Sequence, residues 1–314
     1  MKFAFVVDPL HTFKIYKDST YAMLVEADAR GHELYVMRIQ DLAWKRNKVI
    51  GVARQVTLRD HPEDWYSLDP AAEMPLSQFD GVVMRKDPPF DMEYVTSTWL
   101  LELAVQQGAR VFNDPRAIRD HSEKFAISGF PQFIAPTLVS RHPLQLDAFI
   151  DEHRDVILKP LDGMGGMAIF RVRENDPNRN VIIEQLTRLG ERTIMAQRYI
   201  PEIADGDKRV LLIAGKPAPY CLARIPKEGE SRGNLAAGGT GVCRPLTPRD
   251  REIAETLAPE LARRGLLLVG LDIIGEHLTE INVTSPTCFR EITAQSGFNV
   301  AGMFMDAVEA ASRR

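Results

Sequence analysis

The chain opens with an unbroken apolar run, Phe3-Ala4-Phe5-Val6-Val7, and then spaces its apolar positions helically from Ser19 to Ala29. A run with no polar side predicts a strand buried on both faces, while Asp18 or Ser19 caps the helix and Gly31 stops it. Glu33 to Met37 and Gly81 to Arg85 predict further strands, and Met92 to Gln107, closed by Gly108, a helix leading to a short strand at Val111-Phe112. Strands and helices alternating in this order predict a parallel, doubly wound sheet over residues 1–120, with a proline-interrupted insertion at about 45–78.

Past residue 120 the pattern changes. Leu146 to His153 and Val181 to Leu189 have helical spacing, and Thr193 to Ile200 returns as a strand. Between the apolar stretch ending at Leu158-Lys159 and the alternating stretch Ala168 to Arg173 lies Leu161-Asp162-Gly163-Met164-Gly165-Gly166. Residues 163–168 satisfy G-x-G-x-x-A, but that pattern marks a dinucleotide site only where a helix follows. Here a strand follows, so the unit is strand, glycine loop, strand. Gly163, Gly165 and Gly166 leave peptide N–H groups free to face an anion, with Lys159 as a point charge for phosphate. A plain tight turn is the competing reading.

Gln197-Arg198-Tyr199-Ile200-Pro201 is an extended segment whose backbone can meet the edge of a flat base. Asp207-Lys208-Arg209 precedes an expected strand at 210–213. Asp207 could take ribose hydroxyls and Arg209 a phosphate or carboxylate, whereas a surface ion pair is the bland alternative. Gly270 to Val283 reads as a hairpin turning at about 275–277. Side chains two apart share a face, so Glu280 and Asn282 point one way with Asp272 beside them, a hard-oxygen set suited to Mg²⁺. On that spacing Leu278 shares their face, and a hairpin with one wet face is the competing account. Segment 225–241 carries five glycines and reads as a closing flap or as a plain connecting loop. Arg85, in Met84-Arg85-Lys86-Asp87-Pro88-Pro89, sits where parallel sheets bind ligands, or in a turn with solvated charges.

At 314 residues the length suits two or three domains. Acidic residues outnumber basic ones 43 to 39, which proposes no nucleic-acid or anionic-membrane partner. The amino terminus lacks a signal-peptide pattern, and no segment is long and apolar enough to span a bilayer. Cys221, Cys243 and Cys288 never pair as C-x-x-C, which suggests reduced thiols and a cytoplasmic chain, with Cys288 a packing residue.

The order Lys124, LKPLDGMGG, QRYIP, DGDKR, ARIPKEGESRGNLAAGG and GLDIIGEHLTEINVTSPT, with MRKDPPFD before it, resembles the bacterial glutathione synthetases of the ATP-grasp superfamily. The resemblance runs from the first strand to about Arg290. It implies an α/β chain in which the N-terminal doubly wound parallel-sheet domain, 1–120, is followed by a two-part ATP-grasp fold. The parts would be a lid over 121–200 and a catalytic unit over 201–314 with the flap and the metal hairpin. The implied activity is ATP-dependent ligation of γ-glutamylcysteine to glycine, with Mg²⁺ as cofactor and Mn²⁺ as substitute, in a cytoplasmic homo-oligomer, tetramer or dimer. Lys124 and Lys159 would hold phosphates. Gln197, Tyr199 and Ile200 would line the adenine site, and Asp207 would hold ribose. Asp272, Glu280 and Asn282 would hold magnesium, and Arg209, Arg224 and Arg232 would face the reacting carboxyl and phosphoryl groups. Arg85, Ser285 and Arg290 are placed at the substrate by position alone. Departures from the family pattern are Thr240 and Cys243 at the far end of the flap, and Pro259, expected to interrupt a helix from Thr247 to Arg264. A D-alanine–D-alanine or glutamate-adding ligase of the same superfamily, and an ATP-binding protein without catalysis, are the competing functions. A dehydrogenase is the weakest, because the helix after the glycines is missing.

Overall fold

The computed structural model describes residues 1–313 except Ser231, Asn234, Ala236 and Ala237, so part of the expected flap lies outside the described residues. Three sheets organise the chain. The first contains β1 (Lys2–Val6), β2 (Glu33–Met37), β3 (Leu42–Lys45), β4 (Lys48–Leu58), β5 (Tyr66–Leu68), β6 (Ala72–Pro75), β7 (Gly81–Met84) and β8 (Val111–Phe112). Its main path runs β3-β4-β2-β1-β7-β8. The four strands β2, β1, β7 and β8 are parallel, and α1 (Ser19–Ala29) and α2 (Met92–Gln106) make the connections. Asp18 caps α1 by accepting from Tyr21 N at 2.8 Å, and Asp91 caps α2 by accepting from Tyr94 N at 2.9 Å. The expected insertion at 45–78 is instead part of the sheet. β4 pairs antiparallel with β2, β3, β5 and β6, and its buried Val49, Ile50, Ala53 and Val56 supply the packing that makes it a strand.

After α3 (Pro115–Arg119) comes the second sheet, made of β9 (Thr137–Ser140), β10 (Asp155–Pro160), β11 (Phe170–Arg173) and β12 (Ile194–Arg198) in the order β11-β10-β12-β9. All its pairs are antiparallel. Its core joins Val156, Leu158 and Ile194 to Leu146 and Ile150 of α4 (Pro143–His153) and Ile183 and Leu186 of α5 (Arg179–Thr187).

The third sheet runs β15-β14-β13-β16-β17, antiparallel throughout. Its strands are β13 (Asp207–Ile213), β14 (Lys216–Ile225), β15 (Thr240–Pro245), β16 (Leu268–Ile274) and β17 (His277–Asn282), with helix α6 (Pro248–Arg263) packed against it. Pro259 lies inside α6 and does not end it. Ile253 and Leu257 before the proline and Leu261 after it are all buried in one cluster with the sheet, and that packing outweighs the lost backbone bond. Helices α7 (Phe289–Ser296) and α8 (Val300–Ser312) tie this sheet to the first one. Leu211 and Leu222 share a core with Phe289 and Phe304, and the same core contains Phe3, Phe5 and Leu24. Among the described residues no helix is long and apolar enough to cross a membrane.

Residues 123–133, placed by the sequence in the middle unit, pack against the third sheet. Ile127, Phe130 and Phe133 share a core with Leu257 and Ile281. The Glu123 carboxylate accepts from Val283 N, Thr284 N and Thr284 Oγ1 at 2.9, 3.1 and 2.9 Å. Beside it, buried Asn113 donates to Leu268 O and Val283 O at 2.8 and 2.9 Å and accepts from Leu268 N at 2.8 Å. That amide clamps the end of the first sheet to the hairpin of the third. Asn113→Ala leaves three buried backbone groups unpaired, and the unfolding free energy should fall by about 3 kcal/mol in urea denaturation. A change below about 0.5 kcal/mol would show that the clamp carries no weight.

Candidate active site

Asp207 and Arg209 are two apart on β13 and therefore share a face. Expected ahead of the strand, both lie within it, because their partners stand on the neighbouring strands. Asp207 pairs across with Arg224 of β14, and Arg209 pairs across with Asp272 of β16. Arg209 Nε donates to Asp272 Oδ1 at 2.6 Å and its Nη2 to Oδ2 at 3.2 Å. Arg224 Nη2 lies 2.6 Å from Asp207 Oδ2 and 2.9 Å from Asp272 Oδ2. All four residues are buried, so this is neither a surface ion pair nor a set of free cations. Gly270 makes room for it, since a Cβ there would stand 2.9 Å from Arg209 Cδ.

The two carboxylates differ. Burial pushes Asp272 up, but the guanidinium groups of Arg209 and Arg224 outweigh burial and hold it below the usual carboxylate range. Asp207 touches one arginine only, and burial pushes it up to about 6 against the pull of Arg224. Its Oδ1 is buried without a hydrogen-bond partner among the described residues.

Asp272 and Glu280 face each other across β16 and β17, and Glu280 and Asn282 lie on one side of the latter strand. A register shift after Asp272 leaves Thr279 as an extra residue, whose hydroxyl donates to Asp272 O at 3.1 Å. This bulge corrects the expected position of Leu278. Counting twos from Asn282 puts it on the polar face, but the extra residue returns it to the core with Ile281 and Val283.

Glu280 pairs with Lys124 at 3.3 Å, and Lys124 also donates to Gly163 O. The glycine loop joins antiparallel β10 and β11 with no helix after it, and Gly165 and Gly166 adopt φ of 60° and 82°. Lys159 is buried beneath the loop, 3.5 Å from Gln197 Oε1, and burial lowers its pKa. A cavity of about 90 Å³ is bordered by Lys124, Lys159, Gln197, Tyr199, Ile200 and Asp207, together with the loop glycines, Asp272 and Glu280. The Arg171 guanidinium covers the Tyr199 ring at 3.5 Å from its centroid. Arg232 borders the same cavity and reaches from the 225–241 segment to Gly166 O at 3.2 Å, with a second bond to Glu230 at 2.6 Å.

A second cavity, about 370 Å³, adjoins the first, and both are bordered by Gly163, Gly165, Asp272 and Glu280. Arg85, Ser285, Asn282, Arg209 and Arg224 also border it. Arg290 borders neither cavity, and its guanidinium instead lies over Tyr21 at 5.3 Å. Asp18, Glu123 and Glu291 line the larger cavity without any motif having marked them; Asp18 was legible only as a helix cap.

Two α/β units closing on a glycine loop, with clustered arginines and carboxylates at the joint, define the ATP-grasp ligase fold. A solved structure of the ATP-grasp ligase PsnB complexed with minimal precursor has the same fold, with a TM-score of 0.65 at 18% identity, covering 98% of each chain. The model of the prokaryotic glutathione synthetase N-terminal domain matches residues 1–119, and that of the prokaryotic glutathione synthetase ATP-grasp domain matches 123–297. The glutathione synthetase of Nitrosomonas europaea is 62% identical over 98% of both chains, and that of Ralstonia nicotianae is 61% identical over 99% of this chain and 96% of its own. The chain belongs to the prokaryotic glutathione synthetases, and it is an ATP-dependent ligase.

The buried quartet makes its arginines structural as well as chemical. Arg209→Ala should lower the unfolding free energy by about 3 kcal/mol, because Asp272 loses one of two cations in a buried place. A variant as stable as the parent in urea denaturation would show that water reaches this pair.

Proposed function

We propose that the chain joins the cysteinyl carboxylate of γ-glutamylcysteine to the amine of glycine through an acyl phosphate, releasing ADP and phosphate. The observation that carries this is the meeting of two cavities at Asp272 and Glu280. One cavity suits a nucleotide and the other a carboxylate donor, so the phosphoryl group and its acceptor face each other at the shared wall. In the nucleotide cavity Lys124 and Lys159 hold phosphates under the glycine loop. Gln197, Tyr199 and Ile200 border the base, and Oδ1 of Asp207, which has no hydrogen-bond partner among the described residues, accepts from a ribose hydroxyl.

The donor carboxylate attacks the γ-phosphorus and ADP leaves. The amine of glycine then attacks the acyl carbon, loses a proton, and expels phosphate from the tetrahedral adduct. Negative charge gathers twice at one place. Arg209 and Arg224, both bordering the donor cavity and fixed by their aspartates, stabilise it without reorganising. Arg232 holds the 225–241 segment against the glycine loop, which keeps water from the acyl phosphate.

The donor set fits a hard divalent cation. Glu280 and Asn282 border the donor cavity, and the Asn282 Nδ2 donates to Gly270 O at 3.1 Å, leaving its Oδ1 as an oxygen donor. Asp272, Glu280 and Asn282 would hold Mg²⁺, or Mn²⁺ in its place, and the ion would supply positive charge to the phosphate oxygens. A cytoplasmic homo-oligomer, dimer or tetramer, belongs to the same proposal and rests on the family.

Purified protein with MgATP and γ-glutamylcysteine should release phosphate only when glycine is present, with glutathione identified by mass. Release that ignores glycine, or none, would discard the substrates and retain the nucleotide site. Glu280→Gln should lower kcat by about 10²–10³-fold with little change in melting temperature, because the carboxylate is partly exposed. A normal rate in that variant would remove Glu280 from the chemistry.

A further inference from the structure

Asp272 and Glu280 border both cavities, whereas Asp18 and Glu291 border only the larger one. These two acids stand at the amino ends of α1 and α7, where Phe289 N donates to Ser19 Oγ at 3.1 Å and draws the two helices together. Asp18 spends Oδ1 on Tyr21 N, and Oε2 of Glu291 is buried with no hydrogen-bond partner among the described residues. Burial pushes both carboxyls above their ordinary range, against the backbone N–H groups and Arg85 that pull Asp18 down and against Lys17 and Arg290 that pull Glu291 down.

The opposite sign is available in the same cavity. Arg85 is only 5% exposed. Its Nε donates to Thr20 Oγ1 at 3.1 Å and its Nη2 to Pro286 O at 2.9 Å, while Nη1 is buried without a hydrogen-bond partner among the described residues. A buried guanidinium nitrogen with unused protons costs free energy unless an anion arrives. This wall therefore offers acceptors to a cation and a donor to an anion. The α-amino acid head of a γ-linked peptide carries one ammonium and one carboxylate on adjacent atoms, which is the matching pair.

We propose that Asp18 and Glu291 bind the α-ammonium of the γ-glutamyl donor and that Arg85 binds its α-carboxylate, so that this wall selects a γ-glutamyl head. The proposal rests on the ligase reading above. Glycine does not fit this wall. Two carboxylates would hold its amine as an unreactive ammonium, and they do not belong to the wall the two cavities share, where that amine must react.

The test uses initial rates of the whole enzyme with γ-glutamylcysteine and with its deamino analogue, glutarylcysteine. The parent should use the analogue with kcat/KM roughly 10–100-fold lower, the range of one lost charged hydrogen bond. Glu291→Gln and Asp18→Asn should raise KM for γ-glutamylcysteine by a similar factor. Rates with glutarylcysteine, and KM for glycine and ATP, should stay within about twofold of the parent. Asp18→Asn keeps the helix cap, since Asn caps as well as Asp, so one variant stays folded whatever Glu291 contributes to packing. Equal losses on both donors, or a shift in KM for glycine in place of the donor, overturn the proposal while leaving the ligase intact. A parent enzyme that makes no glutathione overturns the ligase reading and this inference with it.

Discussion

Asp207, Arg209, Arg224 and Asp272 bury two positive and two negative groups across three neighbouring strands. Desolvating an ion in a protein interior costs several kcal/mol, and only close, well-directed partners offset that cost. The quartet therefore admits one register. Slipping β13 by a single residue against β16 would turn Arg209 to the opposite face of the sheet and set it across from Leu271 or Ile273 in place of Asp272. Hydrophobic strands tolerate small misalignment, but a buried guanidinium does not. The geometry of the third sheet follows from this constraint more than from its aliphatic core.

Two features inherit their positions from it. Asp272 is fixed, so Glu280 across the hairpin is fixed as well, and the bulge at Thr279 lets the polar pair face the cavities while Leu278 still reaches the core. The arginines are oriented before any substrate arrives, which is the condition for stabilising charge without paying to reorganise. Stability and chemistry thus draw on the same four side chains.

The first 120 residues were largely legible because α1 and α2 carry their own punctuation, a capping aspartate at one end and a glycine shortly after the other. β4 was not, since an antiparallel strand set between β3 and β2 declares itself only through the partners that bury it. Asp207 and Arg209 were recognisable as chemistry yet misplaced relative to the strand. Charges on alternate positions look like a solvated edge until Arg224 and Asp272 are known to stand beside them. Leu278 was put on the wrong face by period-two counting, which a single inserted residue defeats. Residues 123–133 have little regular structure, and nothing local shows that Glu123 belongs with Val283 and Thr284, 160 residues further on. Asp18 and Glu291 carried no sequence signal of a site because each is ordinary at a helix start and becomes unusual only through the cavity they share.

The glycine loop illustrates how the site manages its charges. Lys124 is held by Gly163 O and Glu280, and Arg232 by Gly166 O and Glu230, so each cation is satisfied by groups belonging to the loop, the hairpin or the neighbouring segment. On the proposed function, the phosphates of ATP compete with the acceptors of Lys124 and offer more charge than a carbonyl can. Lys124 thus passes from one set of acceptors to another without being left as an uncompensated cation, while Arg232 keeps its bond to Gly166 O. Glycine at 163 and 166 has a local physical cause. Gly166 adopts a φ of 82°, and at Gly163 a Cβ would already stand 3.0 Å from Pro160.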